Sequence, residues 1–319
     1  MFHFNSNVLK FTHIMKKIII TGGNGFIGKE LVKLLYNKFN IFVFDKNIKK
    51  NYIKNNIFFF NVDILNLKKL NNLISKIKAD YFVHLAAIHY IPTCENKRQF
   101  SQKTNIIGTE NILSCLNECP PKKIIFASSG AVYNLEDKIL YENSSITDPR
   151  DNYSLTKLTN EIQIKNWSSN NKKTKIYIAR IFNTIGPNDP NSHLLPEIFK
   201  QINSNNNIIK LGNINSKRDY IDVRDTARAL AYLITKKIIS NFEIINICNQ
   251  ISLSVRDIVK IIAKQLKKKF TIKIDQNKIR KFDRPSQIGS KKKLKKLLKF
   301  RSNYDFINTI NYINNKKKL

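Results

Sequence analysis

Residues 151–157 read DNYSLTK and set a phenol, Tyr153, one helical turn before an amine, Lys157. Positions i and i+4 share a helix face. Free tyrosine, with a pKa near ~10, is a weak base at neutral pH. An adjacent ammonium favours the phenolate, which can then take a proton from a substrate hydroxyl. Spacing alone carries little, because all but ten of the 56 basic residues are lysine. Tyr232 with Lys236 and Tyr312 with Lys316 repeat it. What sets the first pair apart is its place, about two dozen residues after an apolar run that ends in Ser128-Ser129. A serine hydroxyl there can hold a substrate oxygen. The other two pairs lack such a strand end and read as chance.

The elements that must position this pair begin with TGGNGFIG (21–28), between a predicted strand, KKIII (16–20), and a predicted helix near 26–38. Gly22, Gly25 and Gly28 are spaced G-x-x-G-x-x-G. A tight strand-to-helix turn needs positive φ, which glycine allows. The bare backbone lets a pyrophosphate approach, and the helix N-terminus turns N–H groups and positive dipole toward it. Asp45 closes the second predicted strand about 20 residues further on. A carboxylate there takes the ribose hydroxyls of NAD and repels a 2′-phosphate; Lys46 beside it leaves NADP open. Asp63 ends the third predicted strand, placed for the adenine edge. The plainer reading of either acid is a solvated strand end. Ligands sit at the carboxyl ends of such strands, which brings Ser128-Ser129 and Tyr153 to the same cleft, where a nicotinamide cation adds to the pull toward phenolate.

Apolar runs alternate with amphipathic segments: IFVFD (41–45), NIFFFNVDI (56–64), YFVHLAA (81–87), KKIIFASS (122–129) and KIYIARIFN (175–183), with helices near 67–77, 97–118 and 152–169. Nearly continuous apolar strands predict a parallel sheet covered on both faces. The fold class expected is α/β, a doubly wound Rossmann sheet with a smaller α/β C-terminal substrate domain. Pro187, Pro190 and Pro196 mark the change of pattern. The expected division is 15–180 plus about 217–249 for the dinucleotide domain, and about 181–216 plus 250–319 for the substrate domain. Residues 1–14 read as an extension, with Met15 as the start.

A formal net charge of +33 points on its face to nucleic acid or an anionic membrane. The lysines are scattered and Arg, the better phosphate ligand, is scarce, so neither partner is expected. Hydrophobic residues at 42% argue against disorder. No apolar run approaches the ~20 residues of a membrane span, and the N-terminus lacks a signal-peptide pattern. The basic SKKKLKKLLKF (290–300) reads as a packed surface helix. Cys94, Cys115, Cys119 and Cys248 form no C-x-x-C pair. Neither a metal site nor a disulfide framework is expected, and a reduced, cytoplasmic compartment fits. His84 and His89 read as structural.

TGGNGFIG, the Asp45 strand end, VDI (62–64), HLAA (84–87), NIIGT (105–109), SSGAVY (128–133), YSLTK (153–157), RIFNTIGP (180–187) and RDYIDVRD (218–225) run in order. Over about 15–300 the chain resembles an extended short-chain dehydrogenase/reductase of the NAD-dependent sugar-nucleotide epimerase/dehydratase family. The resemblance implies a homodimeric enzyme acting on a nucleoside-diphosphate sugar, with Ser129, Tyr153 and Lys157 as the catalytic set. It places NAD on Gly22, Gly25, Phe26, Ile27, Gly28, Asp45, Asp63, Ile64, Leu85, Ala86, Asn105, Tyr153 and Lys157. Asn105 also holds the active-site helix and its water. Ser129, Asn183, Leu194, Arg218 and Arg284 match substrate positions. The arginines serve the diphosphate, Asn183 the diphosphate and sugar, and Leu194 the base. Family dehydratases carry an Asp-Glu pair where this chain has Gly130 and Ala131, so 4,6-dehydration is not expected. The reading is epimerisation at C4 through a 4-keto intermediate, which suits a retained NAD. The alternative is an NAD(P)H-dependent reductase of a 4-keto-6-deoxy nucleotide sugar, which the stretch from RIFNTIGP (180–187) through RDYIDVRD (218–225) to RPSQIGS (284–290) also resembles. QIGS lacks the tyrosine of many UDP-galactose epimerases, leaving sugar and base open. The helices near 97–118 and 153–169 resemble a four-helix dimer interface.

Overall fold

The computed structural model describes residues 15–134, 138–204, 207–279 and 284–316; the expected extension, 1–14, lies outside the described residues. The chain divides into two compact units. The first takes residues through Ser128, Asp151–Ala179 and Leu230–Ile244; the second takes Ser129–Arg150, Arg180–Ala229 and Ile245 onward. Relative to the ranges expected from sequence, 129–150, Arg180, 217–229 and 245–249 fall in the second unit, 217–222 as a strand that pairs there.

In chain order the elements are β1 (Lys17–Thr21), α1 (Phe26–Leu35), β2 (Asn40–Asp45), β3 (Tyr52–Lys54), β4 (Ile57–Asn61), α2 (Leu67–Ile77), β5 (Tyr81–His84), α3 (Ile91–Asn96), α4 (Arg98–Gln102), a π-helical turn (Lys103–Ile107), α5 (Gly108–Glu118) and β6 (Lys123–Ser129). The helix predicted over 97–118 is therefore interrupted by the π turn. There follow β7 (Ile139–Leu140), α6 (Asn152–Asn170), β8 (Lys175–Ile181), β9 (Asn183–Ile185), α7 (Leu194–Asn203), β10 (Ile208–Leu211), β11 (Lys217–Asp222), α8 (Val223–Thr235) and β12 (Phe242–Ile247). The chain closes with β13 (Ser252–Ser254), α9 (Val255–Leu266), β14 (Thr271–Ile274), β15 (Ser286–Gly289), α10 (Lys292–Leu298) and α11 (Phe306–Lys316).

The main sheet runs β12-β8-β6-β5-β1-β2-β4-β3. Strands β4, β2, β1, β5 and β6 are parallel neighbours, so Thr21, Asp45 and His84 close strands on one edge. Ile18, Ile19 and Ile20 are all buried, as the uninterrupted apolar run requires when helices cover both faces. One cluster joins Ile19, Phe42, Phe44, Phe82, Phe126 and Trp167. The second unit centres on β11, which pairs with β13, β15 and β9. Its core joins Leu195, Ile198, Phe199, Tyr220, Ile258 and Ile310. In α10, Leu294 and Leu298 are buried while its lysines face outward, the packed surface helix expected there.

Candidate active site

The glycine turn is dictated by crowding. Gly22 has φ +70°, a region that residues with a Cβ rarely enter. A Cβ there would lie 2.7 Å from Ala86 N, and one at Gly28 only 2.3 Å from Gly22 O. Leu85 and Ala86 are drawn against the turn: Leu85 N donates to Thr21 O (3.0 Å) and Ala86 N to Thr21 Oγ1 (3.4 Å). Gly25 is the N-cap of α1, with no side-chain cap and no acidic residue in the first turn. The leading N–H groups of a helix have no intrahelical acceptor, so those at Phe26, Ile27 and Gly28 suit an anion. Asp45 is buried and braces the turn, accepting from Asn24 N (3.2 Å) at Oδ2 and from Asn47 N (2.9 Å) at Oδ1. Asp63 accepts from Leu65 N (2.9 Å), and Ile64 fills the space beside Gly108, where a Cβ would come within 2.5 Å of it. A turn closed to side chains, an uncapped helix start and a carboxylate on the next strand fit a dinucleotide.

Helix α6 is placed by its first residues. Asp151 and Ser154 form a capping box. Asn152 N donates to Glu95 Oε1 (2.6 Å), its Nδ2 to Ser101 Oγ (2.7 Å), and its Oδ1 accepts from Gln102 Nε2 (2.8 Å). Tyr153, the next residue, is half-buried. Asn105, inside the π turn, accepts Ile88 N (2.8 Å) and donates to Thr156 Oγ1 (3.0 Å), which in turn donates to Tyr153 O (2.8 Å). Lys157 is buried; its Nζ donates to Ala127 O (2.8 Å) and lies 5.0 Å above the Phe126 ring. Burial lowers its pKa to about 8.

A second chain of hydrogen bonds ties Asn105 to the glycine turn. Thr109 Oγ1 donates to Asn105 O (2.6 Å), which leaves it to accept from His84 Nε2 (3.1 Å). His84 Nδ1 then accepts from Thr21 Oγ1 (2.6 Å). Burial, with the Lys157 charge, lowers the His84 pKa to about 3. A neutral imidazole with its proton on Nε2 satisfies every partner, the structural role expected of it.

In the second unit, Ser129 Oγ accepts from Ala131 N (3.1 Å). The following turn is gripped by the substrate-binding candidates. Arg284 NH2 donates to Ala131 O (2.7 Å) and NH1 to Asn134 O (3.1 Å). Arg218 NH1 donates to Arg284 O (2.7 Å). Asn183 Nδ2 donates to Asp219 O (3.2 Å). Leu194 heads α7 and packs on the apolar cluster of this unit. A Cβ at Gly130 would lie 3.0 Å from the Phe182 ring, a tight fit that disfavours a larger side chain there. The structure thus gathers the NAD candidates with Tyr153 and Lys157 in one unit, and Ser129, Asn183, Arg218 and Arg284 in the other.

Sequence reasoning missed Asn152, Thr21, Asp219 and Gln287. Asn152 was within reach, as the residue between the cap and Tyr153. The others act through partners at least 30 positions away, and no local pattern marks them. Asp219, fully buried, accepts Asn249 N, Gln250 N and Gly289 N at 2.8–3.2 Å; desolvation raises its pKa to about 6.

The family model described as NAD dependent epimerase/dehydratase matches residues 18–248. The chain is 30% identical over 284 residues to GDP-6-deoxy-D-talose 4-dehydrogenase of Aggregatibacter actinomycetemcomitans, covering 88% of this chain and 91% of that protein. It is 25% identical over 290 residues to GDP-6-deoxy-D-mannose reductase of Pseudomonas aeruginosa, covering 88% and 90%. UDP-glucuronic acid 4-epimerase of Bacillus cereus, solved with UDP-glucuronic acid and NAD, shares the fold with a TM-score of 0.85 at 23% identity, over 95% of this chain and 99% of that one.

Proposed function

The chain belongs to the NAD-dependent epimerase/dehydratase family, and from that premise we propose that it is a 4-keto reductase, equally a 4-dehydrogenase, of a GDP-linked 6-deoxyhexose. The observation that carries the reading is the turn at Gly130–Ala131, where Phe182 stands over the first glycine and Arg284 and Gln287 hold the carbonyls. Chemistry at C4 without loss of water is what such a site supports. For the sugar and base, the reading draws support from the two relatives that span most of this chain and of their own lengths.

Bound NAD supplies the hydride donor or acceptor. Tyr153 gives a proton to the 4-oxygen in reduction and removes it in oxidation. The Lys157 ammonium favours the phenolate through charge. Because Ser129 Oγ accepts from Ala131 N, its own O–H is left to donate to the sugar oxygen. Arg218 and Arg284 are the candidates for the diphosphate, Asn183 for the sugar and Leu194 for the base. Gly22, Gly25 and Gly28 admit the pyrophosphate, received by the N–H groups of Phe26 and Ile27. Asp45 takes the adenosine ribose, Asp63 and Ile64 flank the adenine, and Leu85, Ala86 and Asn105 line the nicotinamide half.

Epimerisation at C4 is the second reading, favoured by Asp45, which braces the glycine turn and suits a retained NAD. Purified protein separates the two. Consumption of NADH or NADPH with a GDP-4-keto-6-deoxyhexose supports the reductase. Interconversion of UDP-glucose and UDP-galactose without added cofactor supports the epimerase. Neither activity, in protein that binds NAD, overturns both. The working form is a homodimer in a reduced compartment. Supporting the dimer are the exposed Phe100, Ile107, Leu155 and Ile162 on α4, the π turn and α6. A sedimentation mass of one chain at micromolar concentration would defeat the dimer.

A further inference from the structure

Gln287 lies on β15, opposite Arg218 on β11, and is 6% exposed. Its Nε2 donates to Gly130 O at 2.8 Å. Among the described residues the other donor to that carbonyl is Tyr133 N, at a long 3.4 Å. Gly130 follows Ser129 directly, and Ser129 Oγ takes its bond from Ala131 N, the next residue. The amide of Gln287 therefore grips the peptide between the two residues whose geometry orients the serine hydroxyl. Its strand cannot drift, because Gly289 N is held by Asp219 Oδ2 at 3.2 Å and a Cβ at Gly289 would sit 2.7 Å from Phe182. Phe182 also covers Gly130, so one ring is clasped by the two glycines that Gln287 connects. The Gln287 Oε1 lies 3.5 Å from Asn183 Nδ2, which extends the same polar row to the candidate sugar contact. Arg284 holds the next carbonyl, Ala131 O, from the same side.

Resting on the reading of Ser129 as the donor to the sugar oxygen, we propose that Gln287 is a positioning residue: through the Gly130 carbonyl it sets the aim of the Ser129 hydroxyl. The bond is buried and its acceptor has no adequate substitute, so removing the donor leaves a buried carbonyl poorly satisfied and the turn loose.

Two substitutions in the full chain test this. Gln287→Met keeps the length and removes the donor. C4 turnover should fall about tenfold, with KM for the nucleotide sugar and NADH affinity changed less than about twofold, and amide exchange over residues 130–134 should quicken about tenfold. Gln287→Glu retains a donor only when its carboxyl is protonated; the carboxylate repels the Gly130 oxygen. Its turnover relative to wild type should therefore recover as pH falls, a signature that a merely structural role would not produce. Wild-type turnover and unchanged exchange in a folded, NADH-binding Gln287→Met protein overturn the proposal. So does a Gln287→Glu to wild-type ratio that is flat with pH, which decides the matter should the Met variant not fold. If the wild-type protein shows no C4 chemistry, the functional reading fails, and amide exchange alone still reports whether Gln287 holds the turn.

Discussion

In the first unit the glycine turn holds its shape because a methyl group has no room at Gly22 or Gly28, whereas in the second unit the Ser129 turn holds its shape because Arg284 and Gln287 reach its carbonyls from more than 150 positions away. The first kind of constraint is steric and local, and a substitution there either fits or fails. The second is a set of hydrogen bonds among buried groups, graded and sensitive to charge. Lys157 and Asp219 make the same contrast electrostatically. Both are buried, and burial pushes each toward its neutral form: the amine down to about 8, the acid up to about 6.

The largest expected effect tests the first unit. Tyr153→Phe should lower turnover by about a thousandfold while NAD titration shows that the cofactor still binds; a near-normal rate would remove Tyr153 from the proton transfer. Lys157→Met should cost about a hundredfold. With the Lys157 pKa near 8, wild-type kcat/KM should decline on the alkaline side as the ammonium is lost above that pH. Lys157→Arg keeps its charge to higher pH, so the decline should shift upward; an unmoved limb would assign it elsewhere.

Gly28→Ala sharpens the steric side of the comparison. Its Cβ meets Gly22 O and the Gly23 backbone at 2.3–2.8 Å, so stability should fall by about 2 kcal/mol, read from urea unfolding, and NAD affinity should drop with it. Asp219→Asn probes the graded side. The folded pKa of Asp219 lies above its ordinary value of 3.8, so the native state holds the extra proton between about pH 4 and 6. The stability this contributes is present below pH 4 and lost as pH rises through about 6. Unfolding free energies of wild type and variant, measured across that window, should differ in slope, with wild type losing about 3 kcal/mol more. Parallel curves would place the charge of Asp219 outside the stability balance.

The Rossmann order, the turn at 21–28, the Asp45 strand end and the Tyr153–Lys157 pair were legible in the sequence because each rests on a short-range rule. Apolar runs four to seven residues long make buried strands, glycines mark the crowded turn, and i, i+4 spacing marks a helix face. The π turn at 103–107 was not legible: the family resemblance marks Asn105, but only the fold shows the turn that carries it and that Ile88 and Thr156 claim its amide. Gln287 and Asp219 were equally silent, since a glutamine or aspartate in a strand shows nothing of the carbonyl or N–H groups it will meet.

What the sequence by itself determined, then, is the framework: a phenol and an amine one turn apart on a helix, a strand-turn-helix bare of side chains, and an alternation that permits few other folds. Tertiary structure alone decided which buried polar groups satisfy one another, and so why Arg284 and Gln287 reach the carbonyls after Ser129 and why His84 stays neutral. The physical reason is that steric and periodic signals are written in neighbouring residues, while the pairing of buried donors and acceptors depends on strands that meet only after the chain has folded.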